Sequence, residues 1–225
     1  MAVLNGQKRI YSSLIGKIKR KIKIIREKLM GLDFTKTVDN KSLGLDEFGE
    51  GIFYAPSENR DLEKILNTLR ISPLDRILDY GAGKGAAMML MDNYDFAEVA
   101  GVEISKELCE IAKKNFKHLQ KPHLKVYESD AREFSDIERF THFYFLHPFP
   151  PDVMEVVLNN IRDSFIKNLR KVNLIYYSPA HKNVFEERND LFLNVSIKGW
   201  RYETNICTER WTKEEKPSIL SFSQT

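Results

Sequence analysis

The chain has 225 residues, 42% of them hydrophobic and 30% charged, enough for one substantial α/β domain with a short appendage and unlike a disordered or fibrous protein. Its two cysteines, Cys109 and Cys207, lie far apart and have no histidine at metal-ligand spacing, so neither a zinc motif nor a disulfide framework is indicated and a reducing cytoplasm fits best. The net charge of +3 is uneven: nine Lys or Arg residues lie between Lys8 and Lys28 against the single acid Glu27, a local +8 that leaves −5 for the rest.

In the first thirty residues the apolar positions Ile15, Ile18, Ile22, Ile25 and Leu29 recur every three or four places with cations between them. This spacing predicts a basic amphipathic helix, with Gly31 ending it. No apolar run approaches 18 residues and no uncharged core precedes a small-residue cleavage site, so neither a membrane span nor a secretory signal is expected. Two uses of the helix stay open. It packs on the domain or a neighbouring subunit with its lysines solvated, or it contacts an anionic membrane surface or a partner. Nucleic acid is the weaker option because aromatic interleaving is nearly absent. The expected location is cytoplasmic, with membrane association through residues 8–30 under the second use.

Residues Leu32 to Ile52 mix glycines and acids without a period and read as a linker or a loop over the active site. Residues 1–50 are therefore assigned to the basic helix and linker, and 51–225 to a globular domain. Pro56 disfavours a helical Ala55, Ser57 is a good N-cap, and Leu62, Ile65, Leu66 and Leu69 form the stripe of a helix. Beyond Pro73 short apolar strands alternate with periodic helices, the pattern of a parallel sheet covered on both faces. Strands are predicted near Arg76–Tyr80, Glu98–Glu103, Leu124–Glu128, His142–His147 and Val172–Tyr177. Leu108, Ile111, Ala112 and Phe116 line a helix capped by Ser105, and Met154, Val157, Leu158, Ile161 and Phe165 line another after Pro150–Pro151. The segments LFLNVSI and WRYETNIC read as two closing strands, an antiparallel hairpin joined through Lys198–Gly199. The expected fold is a Rossmann-like three-layer α/β sandwich with a mostly parallel seven-stranded sheet.

The strongest chemical signal is ILDYGAGKGAA, Ile77 to Ala87, a strand entering a glycine-rich turn and a helix. Such a turn brings backbone N–H groups to a ligand, with no side chains to block the approach. Taken alone it also satisfies the loose dinucleotide fingerprint. Glu103 ends the second strand, where a carboxylate can accept hydrogen bonds from both hydroxyls of a ribose. Asp130 follows the third strand within reach of an adenine amino group, or else caps the next turn with Ser129. His142 and His147 lie five residues apart on one predicted strand and point to opposite faces, so no shared metal is expected.

Taken in order, these residues resemble the class I S-adenosylmethionine-dependent methyltransferases from about Tyr54 to about Cys207. The resemblance implies a methyl donor, S-adenosyl-L-methionine, whose amino-acid part is positioned by Asp79, whose ribose is held by Glu103 and whose adenine meets Asp130. It places Tyr80, Gly81, Ala82, Gly83, Gly85, Ile104, Ala131 and Leu146 around the same ligand. In this class the end of the fourth strand holds the nucleophile. Here the sequence is His147, Pro148 and Phe149, with His where many amino-methylating members carry Asn or Asp. His147 is the candidate base or substrate orienter, and Tyr54 or Phe149 walls the site from water. The stretch Tyr54 to Ser57 also resembles the element preceding the first strand in protein-lysine methyltransferases outside the SET family. The implied activity is methyl transfer to an unidentified acceptor: a small molecule, a glycan or lipid-linked group, a protein side chain or an RNA base. An NAD(P)-dependent oxidoreductase is the second reading, because it needs only the turn and the ribose acid. A non-catalytic adenosine-ligand module is the third.

Overall fold

The computed structural model describes residues 2–38, 43, 59–146, 149–177, 184, 193–198 and 203–209. A helix α1 (Ala2–Leu29) is followed by α2 (Asn59–Thr68), β1 (Arg76–Tyr80), α3 (Ala86–Met91), β2 (Glu98–Glu103), α4 (Lys106–His118), β3 (Lys125–Glu128), β4 (His142–Leu146), α5 (Pro151–Lys167), β5 (Val172–Tyr177), β6 (Leu193–Lys198) and β7 (Glu203–Glu209). The sheet order is β3-β2-β1-β4-β5-β7-β6. β1 to β5 pair in parallel, whereas β7 runs antiparallel to both β5 and β6, with an irregularity between Leu193 and Val195. The order reverses between β1 and β4, and in open α/β sheets the crevice at that reversal is where ligands bind.

The parallel strands are apolar throughout because both of their faces are covered. On β1, Ile77 packs into one core layer and Leu78 and Tyr80 into the other; β2 divides Val99 from Ala100 and Val102 in the same way. The first layer takes Leu62, Ile65 and Leu66 of α2, Met88 of α3 and Phe116 of α4; the second takes Met154, Val157, Leu158, Ile161 and Phe165 of α5. Full burial of each such side chain is worth up to about 1.5–3 kcal/mol. The predicted stripes of α2, α4 and α5 therefore face the sheet, with Ile111 only half-buried. Ser105 caps α4 by accepting from the Leu108 N–H (3.3 Å), and Pro151 opens α5, where its missing N–H costs nothing. β3 starts one residue later than expected, at Lys125, and β4 runs from His142 to Leu146, with the expected last residue, His147, outside the described residues. Ser57, the expected cap of α2, lies outside the described residues, as do Tyr54, His147 and Pro148.

α1 stops as its sequence predicts. Gly31 takes φ +70, and the Leu32 N–H reaches the Glu27 carbonyl (2.7 Å) while the Gly31 N–H reaches that of Lys28 (3.1 Å), the paired bonds of a Schellman motif. The chain then turns back along the helix. The Glu27 carboxylate accepts from the N–H groups of Phe34 (3.1 Å) and Thr35 (2.7 Å) and from the Thr35 hydroxyl (2.6 Å). Phe34 and Thr35, read from sequence as linker, are thereby fixed to α1.

Candidate active site

Strand alternation decides which side chains share a face. Asp79 is registered with Gly101 and follows Leu78, so its carboxylate and that of Glu103, two residues beyond Gly101, lie on the same side of the sheet. The chain after β1 folds over the end of β2: the N–H groups of Gly81 and Ala82 both donate to the Val102 carbonyl (2.9 and 3.1 Å). The Gly83 N–H then donates to Glu103 Oε2 (2.8 Å), while Glu103 Oε1 accepts from the Ser105 N–H (2.9 Å). Two glycines make this crossing possible. A Cβ on Gly85, at φ +83, would stand 2.3 Å from Phe116 Cζ, and one on Gly101 would stand 2.5 Å from Ala82 Cβ. Gly101 was not among the residues expected from sequence, although a glycine inside an apolar strand signals a close backbone approach.

Both carboxylates are held away from water. Burial, reinforced by the neighbouring Glu103 charge, pushes Asp79 up to about 8. Burial also raises Glu103, against the lowering effect of the N–H groups of Ser105, Gly83 and Ile104. Two acids on one buried face form a site that favours a cationic or hydroxyl-rich ligand, because either would offset their desolvation. α3 has only six residues, and the N–H groups of Gly81, Ala82, Gly83 and Gly85 are all taken within the chain, so what the turn offers a ligand is the close approach of its backbone.

Asp130 stands at the end of β3, next in line beyond Glu103. The Ser129 N–H donates to the Glu103 carbonyl (3.0 Å), which brings the third strand end against the second. The Asp130 carboxylate is engaged by Arg132, through its backbone N–H (2.8 Å), Nε (3.1 Å) and Nη2 (2.5 Å). That guanidinium holds Asp130 below the usual carboxylate range. The capping alternative weighed from sequence is thus formed, and Asp130 can also meet a ligand only with an oxygen left accessible beside Arg132. Ile104 is 39% exposed at this edge, and Ala131 is buried beneath it.

Other expected residues divide between the faces. The Tyr80 side chain points away from Asp79 into the second core layer, stacked on Phe145 (ring centroids 5.3 Å) and meeting Phe149 edge-on (6.2 Å). Only its backbone borders the turn, and its hydroxyl finds no hydrogen-bond partner among the described residues. Phe149, just past the end of β4, thus packs on the second core layer, whereas the half-buried Leu146 packs on the first. His142 begins β4, at the opposite edge of the sheet from the glycine turn. Fully buried, it bonds Thr141 Oγ1 (2.9 Å) and Asn173 Nδ2 (2.8 Å), a structural role. Among the described residues no group of three His, Cys, Asp or Glu side chains is arranged to hold a metal ion.

Lys84 was missed in the sequence reading. It lies within the glycine turn, yet its side chain is wholly buried, and Nζ donates to Asp33 Oδ1 (2.7 Å) and the Lys36 carbonyl (2.8 Å). Asn115 of α4 completes the joint: its amide donates to the carbonyls of Asp33 (3.1 Å) and Lys84 (3.2 Å), and its oxygen accepts from the Asp33 N–H (2.9 Å). The segment after α1 is thus strapped to the back of the turn. A lysine between two glycines gives no local sign of this, since its partner is 51 residues away.

A doubly covered parallel sheet with a glycine crossover and acids at consecutive strand ends defines a Rossmann-like α/β fold. Residues 77–166 match the family model of the methyltransferase domain. No curated protein matches the chain in sequence. Among solved structures, it is similar to an RNA methyltransferase from Salinibacter ruber in complex with S-adenosyl-L-homocysteine (15% identity, 71% of this chain and 98% of that one, TM-score 0.53). It is also similar to a ribosomal protein L11 methylase from Lactobacillus delbrueckii subsp. bulgaricus (13% identity, 70% and 80%, TM-score 0.53). A third is an S-adenosylmethionine-dependent O-methyltransferase from Thermotoga maritima (15%, 69% and 67%, TM-score 0.53). At these identities the likeness is one of fold.

Proposed function

We propose that the protein transfers a methyl group from S-adenosylmethionine to an acceptor presented at the end of β4. The observation that carries this reading is the Glu103 carboxylate, buried against the Gly83 N–H and on the same face as Asp79. A glycine turn packed closely on the end of β2, beside two desolvated acids, fits a ligand with an ammonium at one end and ribose hydroxyls next to it. Asp79 faces the ammonium, Glu103 the hydroxyls, and Ile104 offers its exposed side chain to the base, with Ala131 and Asp130 beyond. Gly81, Ala82, Gly83 and Gly85 supply the close backbone.

When bound, the sulfonium supplies an electrophilic methyl carbon, so the protein's remaining task is alignment. The acceptor atom must lie roughly 3–3.5 Å from that carbon and opposite the sulfur. Leu146 and Phe149 border the place where this occurs, and Phe149 with Tyr54 excludes water. His147, the first residue after β4, takes the acceptor's proton or orients the acceptor. Calorimetry tests the reading: S-adenosylmethionine and S-adenosylhomocysteine bind and NAD does not. Preference for NAD would restore the oxidoreductase reading, and binding without turnover on any acceptor would leave a ligand-binding module.

A further inference from the structure

α1 presents its apolar stripe to solvent. Ile18, Ile22 and Ile25 are more than half exposed and Leu29 is 83% exposed, and at 3.6 residues per turn these four lie within a sector of about 60°. The same geometry places Lys17, Lys21 and Lys28 along one flank of the stripe and Lys19, Lys23 and Arg26 along the other, all exposed. The opposite side of the helix is already used. Glu27 is buried by its bonds to Phe34 and Thr35, and Arg20 Nη2 donates to the Thr35 carbonyl (3.3 Å). The only acid of α1 is therefore turned inward, and its outward surface is apolar at the centre and cationic on both sides.

We infer that this face docks on an anionic lipid surface, with Ile18, Ile22, Ile25 and Leu29 entering the acyl boundary and the two rows of cations at headgroup level. The charge pattern selects the occupant. A second copy laid on the stripe would oppose lysine rows to lysine rows in either orientation. Nucleic acid would satisfy the cations and leave the isoleucines in water. A planar anionic interface meets both rows at the same height and buries the stripe between them. No described helix is long and apolar enough to cross a membrane, so α1 lies on the surface. This inference is independent of the methyl-transfer reading.

The test is flotation of the full chain with vesicles of phosphatidylcholine containing 30% phosphatidylglycerol, against pure phosphatidylcholine. The protein floats with the anionic vesicles, and added salt weakens binding. Each cation near an anionic surface strengthens binding roughly fivefold. Lys17→Glu with Lys21→Glu thus lowers partitioning at least about 25-fold, and Ile22→Asp with Ile25→Asp at least about tenfold. All four positions are exposed, and S-adenosylmethionine affinity, measured alongside, stays at the wild-type value in both variants. Absence of anionic-vesicle binding, or wild-type binding by the Ile22→Asp/Ile25→Asp variant, overturns the inference. Sedimentation showing a dimer dissolved by that same variant, without vesicle binding, assigns the face to a second copy instead.

Discussion

The joint between Lys84 and Asp33 makes an asymmetric prediction. Lys84 is fully buried while the Asp33 side chain is 37% exposed, so removing one partner is not equivalent to removing the other. In Asp33→Ala a buried ammonium loses its carboxylate and keeps the Lys36 carbonyl. Breaking a fully buried pair costs about 3–5 kcal/mol, and water at the exposed Asp33 position reduces this to about 2 kcal/mol. In Lys84→Met the charge goes, the packed stem stays, and Asp33 is rehydrated, at a cost of about 1 kcal/mol or less. For a chain of this size the two variants lower Tm by about 4–8 °C and less than about 4 °C. Urea unfolding and calorimetry read both values. The double variant matches Lys84→Met alone, because the second substitution removes the stranded charge. A Lys84→Met variant at least as destabilised as Asp33→Ala, or strictly additive effects, would refute the buried ion pair as the source of the stability.

Glu103→Gln keeps the shape of the side chain and removes the charge proposed to accept the ribose hydroxyls; S-adenosylhomocysteine affinity in calorimetry falls about 10- to 100-fold, the loss of one or two charged hydrogen bonds. Asp79 has a folded pKa raised to about 8, so its contribution to stability is fully present below the ordinary carboxylate value and is lost as pH rises through about 8. Ligand-free Asp79→Asn therefore loses stability less steeply than wild type across that window in urea titrations at several pH values. Gly101→Ala drives a Cβ to 2.5 Å from Ala82 Cβ and costs about 1–3 kcal/mol by overpacking, with weakened cofactor binding because the glycine turn must shift; unchanged affinity counts against the close crossing. His147→Ala lowers turnover by roughly 10²–10⁴-fold once an acceptor is found, with cofactor affinity nearly unchanged, and equal turnover in the variant disposes of the base assignment.

Under the methyl-transfer proposal, the acceptor end of the site draws on different parts of the chain from the donor end. Asp79, the turn, Glu103 and Asp130 lie on three consecutive parallel strands whose order the sheet fixes. Phe149 belongs to the loop after β4, on the other side of the topological reversal. Parallel strands all present their carboxyl ends at one edge, so donor and acceptor groups from opposite halves of the sheet meet there without any long excursion. Acceptor chemistry can then vary with the loops while the donor cradle stays.

The local half of this molecule was written in its sequence. Strand and helix periods, the Ser105 cap, the Gly31 stop and the order of the acids are set by neighbours within four or five residues, and such interactions act the same way wherever the chain goes. The tertiary structure decided which of two local options each residue takes. Tyr80 is turned to the aromatic layer, Gly101 yields space to Ala82, and the stripe of α1 faces solvent instead of the sheet. Lys84 shows the reason most simply: its environment is made by a segment 51 residues earlier, and no short-range pattern encodes where a distant piece of chain will lie.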